Sequence, residues 1–61
     1  MRGYQYVLHY HYCVAGKIEI INDRFVCYVP TLLDAVNQLI EHCCSRGYSS
    51  YYLDSYIETP I

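Results

Sequence analysis

The chain reads as a small α+β protein, a two-layer sandwich with one helix packed on one face of an antiparallel sheet in the order β-β-β-α-β. Three observations predict this. Residues Tyr4 to Val14 (YQYVLHYHYCV) keep a period-two pattern over a full strand length. Two β-rich runs, Lys17 to Ile21 (KIEII) and Arg24 to Val29 (RFVCYV), flank Asn22-Asp23, residues that tolerate the positive φ of a tight hairpin turn. A following stretch carries apolar residues at helical spacing between a capping threonine and a glycine. Residues 1–61 are too few for more than a single small domain.

Alternation in the first strand places Tyr4, Tyr6, Leu8, Tyr10, Tyr12 and Val14 on one face and Gln5, Val7, His9, His11 and Cys13 on the other. The turn at Val14-Ala15-Gly16 decides which face meets the helix. A two-residue loop would hold Ala15 at positive φ, which its Cβ resists, whereas a three-residue loop ending in a left-handed Gly16 carries no such strain. The three-residue loop pairs Cys13 with Lys17 and Tyr12 with Ile18. It turns the tyrosine and Leu8 face to the helix and the histidines outward.

A two-residue turn at Asn22-Asp23 pairs Ile21 with Arg24, Ile20 with Phe25, Glu19 with Val26, Ile18 with Cys27 and Lys17 with Tyr28. Ile18, Ile20, Phe25 and Cys27 then face the core, and Lys17, Glu19, Val26 and Tyr28 face out. Pro30-Thr31 closes the sheet and opens the helix. Thr31 can cap free N–H groups, and Asp34 three residues on completes a capping-box pattern. Leu32, Val36, Leu39, Ile40 and Cys43 form the apolar stripe, opposite Asp34, Gln38, Glu41 and Ser45. Arg46 and Gly47 supply the stop. Ser50 to Ile57 (SYYLDSYI) reads as the last strand, with Tyr51, Leu53 and Ile57 inward and Tyr52, Asp54 and Tyr56 outward.

Composition narrows function by exclusion. A 54% apolar, 16% charged chain is globular rather than disordered. A net charge of −2, with four Lys or Arg (Arg2, Lys17, Arg24, Arg46) dispersed among six acids, offers little drive toward a phosphate backbone. Nucleic acid therefore ranks below protein as a partner. No apolar run approaches a membrane span and the N-terminus lacks a signal-peptide core, so a cytoplasmic location without membrane contact is expected. In that compartment the four cysteines are expected to be reduced; Cys43 and Cys44, adjacent on the helix, diverge by about 100°.

One helix covers one sheet face, so the other is open. In this register it displays Gln5, His9, His11, Lys17, Glu19, Tyr28, Tyr52 and Tyr56. Tyrosine offers large contact area at small entropic cost, so Tyr28, Tyr52 and Tyr56, with His9, His11, Lys17 and Glu19, form the candidate partner-binding set. The occupant is expected to be another protein, or a second copy in a homodimer. One alternative is a nucleic-acid-binding module that stacks single-stranded bases on the aromatic face. Another is a small zinc-binding domain with His9, His11 and Cys13 as ligands, although no C-x-x-C knuckle accompanies them. No catalytic or cofactor-binding signature occurs, so neither enzyme activity nor a cofactor is expected.

In element order, the first strand, the hairpin KIEIINDRFVCYV, the helix TLLDAVNQLIEHCC and the closing strand YYLDSYI resemble double-stranded-RNA-binding domains and the N-terminal domains of HicB-type antitoxins. In size, acidity and a short reading frame from Met1, the chain is similar to small accessory proteins of bacteriophages, including anti-CRISPR and other host-directed inhibitors. That resemblance implies an inhibitor that occupies a surface of a host protein or complex in the host cytoplasm.

Overall fold

A computed structural model describes residues 3–61; Met1 and Arg2, and with Arg2 one of the dispersed cations, lie outside the described residues. Strand β1 (Tyr4–Val14) is the middle of a three-stranded sheet of order β2-β1-β3, antiparallel to β2 (Ile21–Val29) on one side and β3 (Tyr48–Pro60) on the other. Helix α1 (Leu32–Arg46) lies between β2 and β3 in sequence and covers one sheet face. The two-layer α+β sandwich is therefore as the sequence indicates. Its element order is β-β-α-β, with three strands where four were expected.

The difference lies at Asn22-Asp23, which form no turn. They sit within β2, opposite His11 and Tyr10. Extending β2 back to Ile21 gives it an unbroken ladder from Tyr4–Val29 to Tyr12–Ile21 on the central strand. A local 17–29 hairpin would have offered only five pairs, so the longer ladder wins over local turn preference. The chain does reverse at Gly16, left-handed at φ 82°, where the Lys17 N–H donates to the Val14 carbonyl at 3.0 Å. Residues 17–20 then run on as an exposed connection. Ile18 and Ile20, assigned to the core from the sequence, are 101% and 64% exposed there.

The face assignment of β1 holds although the pairing beyond Gly16 differs. Tyr6, Leu8 and Tyr10 are buried beneath the helix together with Cys27, Val29, Ala35, Leu39 and Cys43. Thr31 caps α1, its Oγ1 accepting from the Asp34 N–H at 3.2 Å and donating to the Asp34 carboxylate at 2.9 Å. Gly47, left-handed at φ 74°, ends it, and Arg46 stands in its last turn. The buried stripe of α1 is Ala35, Leu39 and Cys43, rotated from the expected one so that Ile40 is exposed. Ala35 has the smallest side chain available to a helix lying over a tyrosine-floored sheet, and it lets the two layers approach.

Strand β3 has two irregularities. Ser49 is an extra residue between the Ser50–Cys13 and Tyr48–Val14 pairs, and Asp54 is another between Leu53–Tyr10 and Ser55–His9. A bulge shifts the alternation by one residue, so positions on its two sides exchange faces. Tyr51 and Leu53 face the helix as expected. Beyond Asp54, Tyr56 and Glu58 face the helix side opposite Leu8 and Tyr6, whereas Ile57 joins Val7 on the open side. The expected orientations of Tyr56 and Ile57 are thus reversed.

Candidate functional site

The open face is built from four cross-strand rows read in the order β2, β1, β3. They are Tyr28–Gln5–Thr59, Val26–Val7–Ile57, Arg24–His9–Ser55 and Asn22–His11–Tyr52. The second row is apolar across all three strands. Directly opposed side chains in a sheet share a face within about 5.5 Å, so Val26, Val7 and Ile57 form one continuous ridge. Among the described residues no element covers it, and Tyr28 and Ile57 remain 66% and 56% exposed.

Asp54 organises the other end. The bulge turns its carboxylate toward His11, whose Nδ1 lies 2.8 and 3.0 Å from the two carboxylate oxygens. An ionised carboxylate only accepts, so Nδ1 carries the proton, and in the neutral ring Nε2 remains an acceptor. Tyr52 stacks on the same imidazole, with ring centroids 5.2 Å apart and planes at 29°. Asp54, His11 and Tyr52 thereby form one ordered cluster on an otherwise solvated face.

Of the seven partner-binding residues suggested by the sequence, the structure brings Tyr28, Tyr52, His9 and His11 together on this face. Tyr56 is on the opposite side, 6.5 Å from Tyr6 between ring centroids, because of the bulge. Lys17 and Glu19 are in the exposed connection rather than on the sheet, because β2 begins only at Ile21. Sequence reasoning missed Arg24, the apolar row and the role of Asp54. Val7 and Val26 were legible from alternation, whereas Ile57 required knowledge of the bulge.

His9, His11 and Cys13 occupy successive outward positions of β1, about 6.6 Å apart along the strand. Among the described residues, no three His, Cys, Asp or Glu side chains converge. All four cysteines are free. Burial pushes the thiols of Cys27 and Cys43 up, which disfavours the nucleophilic thiolate. On the other side of the molecule, a shallow groove of about 450 Å³ between α1 and β2 is lined by Phe25, Gln38, Glu41, His42 and Ser45. Phe25 and His42 pack ring to ring across it at 5.0 Å.

No protein-family model, curated protein or solved structure matches the chain. Among the described residues, no helix is long and apolar enough to cross a membrane.

Proposed function

We propose that this protein is a small interaction module that binds another protein through its open sheet face. The observation that carries the reading is the exposed row Val26–Val7–Ile57, with Tyr28 in the row beside it and Tyr52 beyond the polar row Arg24–His9–Ser55 on the other side. Apolar surface left in water costs roughly 25 cal/mol per Å², so a contiguous apolar ridge beside an exposed tyrosine gains most by being covered. Tyrosine anchors with a polar rim are the usual composition of an interface centre.

The charge pattern favours protein over nucleic acid. Arg24 is the one Lys or Arg on this face among the described residues, and Asp54 stands at an adjoining level of the sheet. A backbone-tracking groove needs several cations. Inhibition of a host protein by surface occupation, in the manner of small phage proteins, is the form of this activity that size and acidity support, with the host cytoplasm as its place of action.

The test is capture of a partner from the natural source, followed by titration of the purified pair with Tyr28→Ala, Tyr52→Ala and Ile57→Ser. Each should weaken binding by about 1–3 kcal/mol while the circular dichroism spectrum is unchanged. Moderate salt dependence is expected, in contrast to the steep loss that phosphate binding shows. Normal binding by these variants, together with loss in Gln38→Ala or Glu41→Ala, would move the working surface to the helix.

A further inference from the structure

We infer that the occupant of the open face is a second copy of this chain, packed face to face about a twofold axis parallel to the strands, so that Arg24 of each copy meets Asp54 of the other. The inference rests on the reading of that face as an interaction surface and goes beyond it by placing a second copy there, in place of a different protein, and by giving its geometry.

Three features argue for it. The first is charge placement. Arg24 is on edge strand β2 and Asp54 is on the opposite edge strand β3, at adjoining levels, because Arg24, His9 and Ser55 form one row and Asp54 precedes Ser55. A half-turn about an axis along β1 keeps every level and exchanges the edges, so β2 of one copy lies over β3 of the other. The apolar row then meets itself in reverse, Tyr28 lies over Thr59, and both Arg24–Asp54 pairs form. An axis running across the strands would stack β2 on β2 and make neither pair. Facing sheets in natural sandwiches cross at about 30°, which displaces residues near the axis by only a few Å.

The second feature is area. Tyr28 and Tyr52 are 66% and 61% exposed, and Ile57 and Val26 56% and 43%. With aromatic side chains presenting roughly 150–250 Å² each, these four leave on the order of 400–500 Å² in water, already the size of the largest patch on a typical monomer. The half-buried centre strand and the polar rows bring the face toward the roughly 800 Å² that each partner of a standard interface contributes.

The third feature is that the sheet edges are guarded while the face is not. The bulge at Asp54 and the terminal Pro60 interrupt the β3 edge, and Asp23 and Arg24 place charge on the β2 edge. These are the devices that prevent edge pairing, so self-association is directed to the face.

Sedimentation equilibrium over a concentration series tests this, with the wild type, Arg24→Asp, Asp54→Arg, the Arg24→Asp/Asp54→Arg double variant and Ile57→Asp. The expected result is a wild-type dimer whose dissociation constant rises at least about tenfold in either charge variant, through like charges placed face to face, and recovers in the double variant. Ile57→Asp, at an exposed edge position, should also dissociate it while the circular dichroism spectrum is kept. A wild-type chain that stays monomeric to about 1 mM overturns the second copy as occupant but leaves the interaction face itself to the heterologous binding test. A dimer broken by Ile57→Asp but indifferent to the charge variants overturns the proposed axis. A dimer indifferent to all of them is built on another surface, which overturns the inference and leaves the open face to the heterologous binding test.

Discussion

The Tyr6 hydroxyl donates a 2.6 Å hydrogen bond to a carboxylate oxygen of Glu58, the residue opposite it on β3. Burial raises the Tyr6 phenol from its ordinary value of 10.0 to about 12, and the bond to Glu58 adds to the shift. Tyr10, two residues on, is likewise pushed up to about 12, again by burial first and then by the nearby Asp23 charge. In both cases the neutral phenol is the form that the fold holds. Each group binds its proton more tightly folded than unfolded, so the stability it contributes is fully present below pH 10 and is lost as pH rises from about 10 to about 12. Thermal melts should therefore be flat in this respect up to pH 10 and fall steeply above it. A melting temperature constant from pH 10 to 12 would contradict the burial of both rings.

Tyr10 differs from Tyr6 in one respect: its hydroxyl is buried with no hydrogen-bond partner among the described residues. An unsatisfied buried hydroxyl costs about 1–3 kcal/mol, and the ring, not the hydroxyl, fills the core. Tyr10→Phe is thus expected to leave stability unchanged or raise it by about 1 kcal/mol, and to flatten the alkaline part of the pH profile. Urea denaturation of the two chains at pH 7 and at pH 11 measures both effects. A loss of 1 kcal/mol or more at pH 7 would mean that the hydroxyl has a partner.

Much of this fold was legible because several of its signals are local. The caps at Thr31 and Gly47 and the alternation of β1 depend on residues a few positions apart, and each has the conformation expected of it. The pairing of β2 was not, because Asn22-Asp23 is a good turn sequence and only the length of the central strand, a non-local fact, favours extending the ladder through it. Ala35 was overlooked on α1 since its burial reflects the bulk of Tyr6 and Tyr10 on another element. The candidate site was half legible for the same reason. His9, His11, Tyr28 and Tyr52 follow from alternation alone, while Tyr56 and Ile57 lie beyond a bulge that nothing in SYYLDSYI announces.

Leu39 is 3% exposed at the centre of the buried helix stripe. Leu39→Ala should cost about 2–5 kcal/mol, a large part of the stability of so small a domain, and lower the melting temperature accordingly. Thr31→Ala removes a cap whose oxygen serves one backbone N–H, so its cost should be nearer 1 kcal/mol. The ratio matters more than either value. Equal losses would show that helix docking, not cap formation, is what both substitutions report.

Deleting Asp54 tests whether the bulge exists to aim a side chain. Leu53 pairs with Tyr10 and Ser55 with His9, which are neighbours on β1, so removing the intervening residue leaves a regular ladder with every flanking pair retained. Tyr52 and Tyr56 stay on opposite faces, since their cross-strand partners His11 and Leu8 already are. What the deletion removes is the carboxylate on His11, an exposed contact of a kind that contributes only about 0–1 kcal/mol. The deletion variant is therefore expected to fold with little loss of stability and to keep Ile57 against Val7 in cross-strand nuclear Overhauser contacts, while His11 and Tyr52 lose their fixed stacking. Asp54→Ala, which keeps the bulge, should loosen His11 equally. Ile57 found on the helix side of the deletion variant would show that the bulge sets the register of β3, and that the aim of Asp54 is secondary to it.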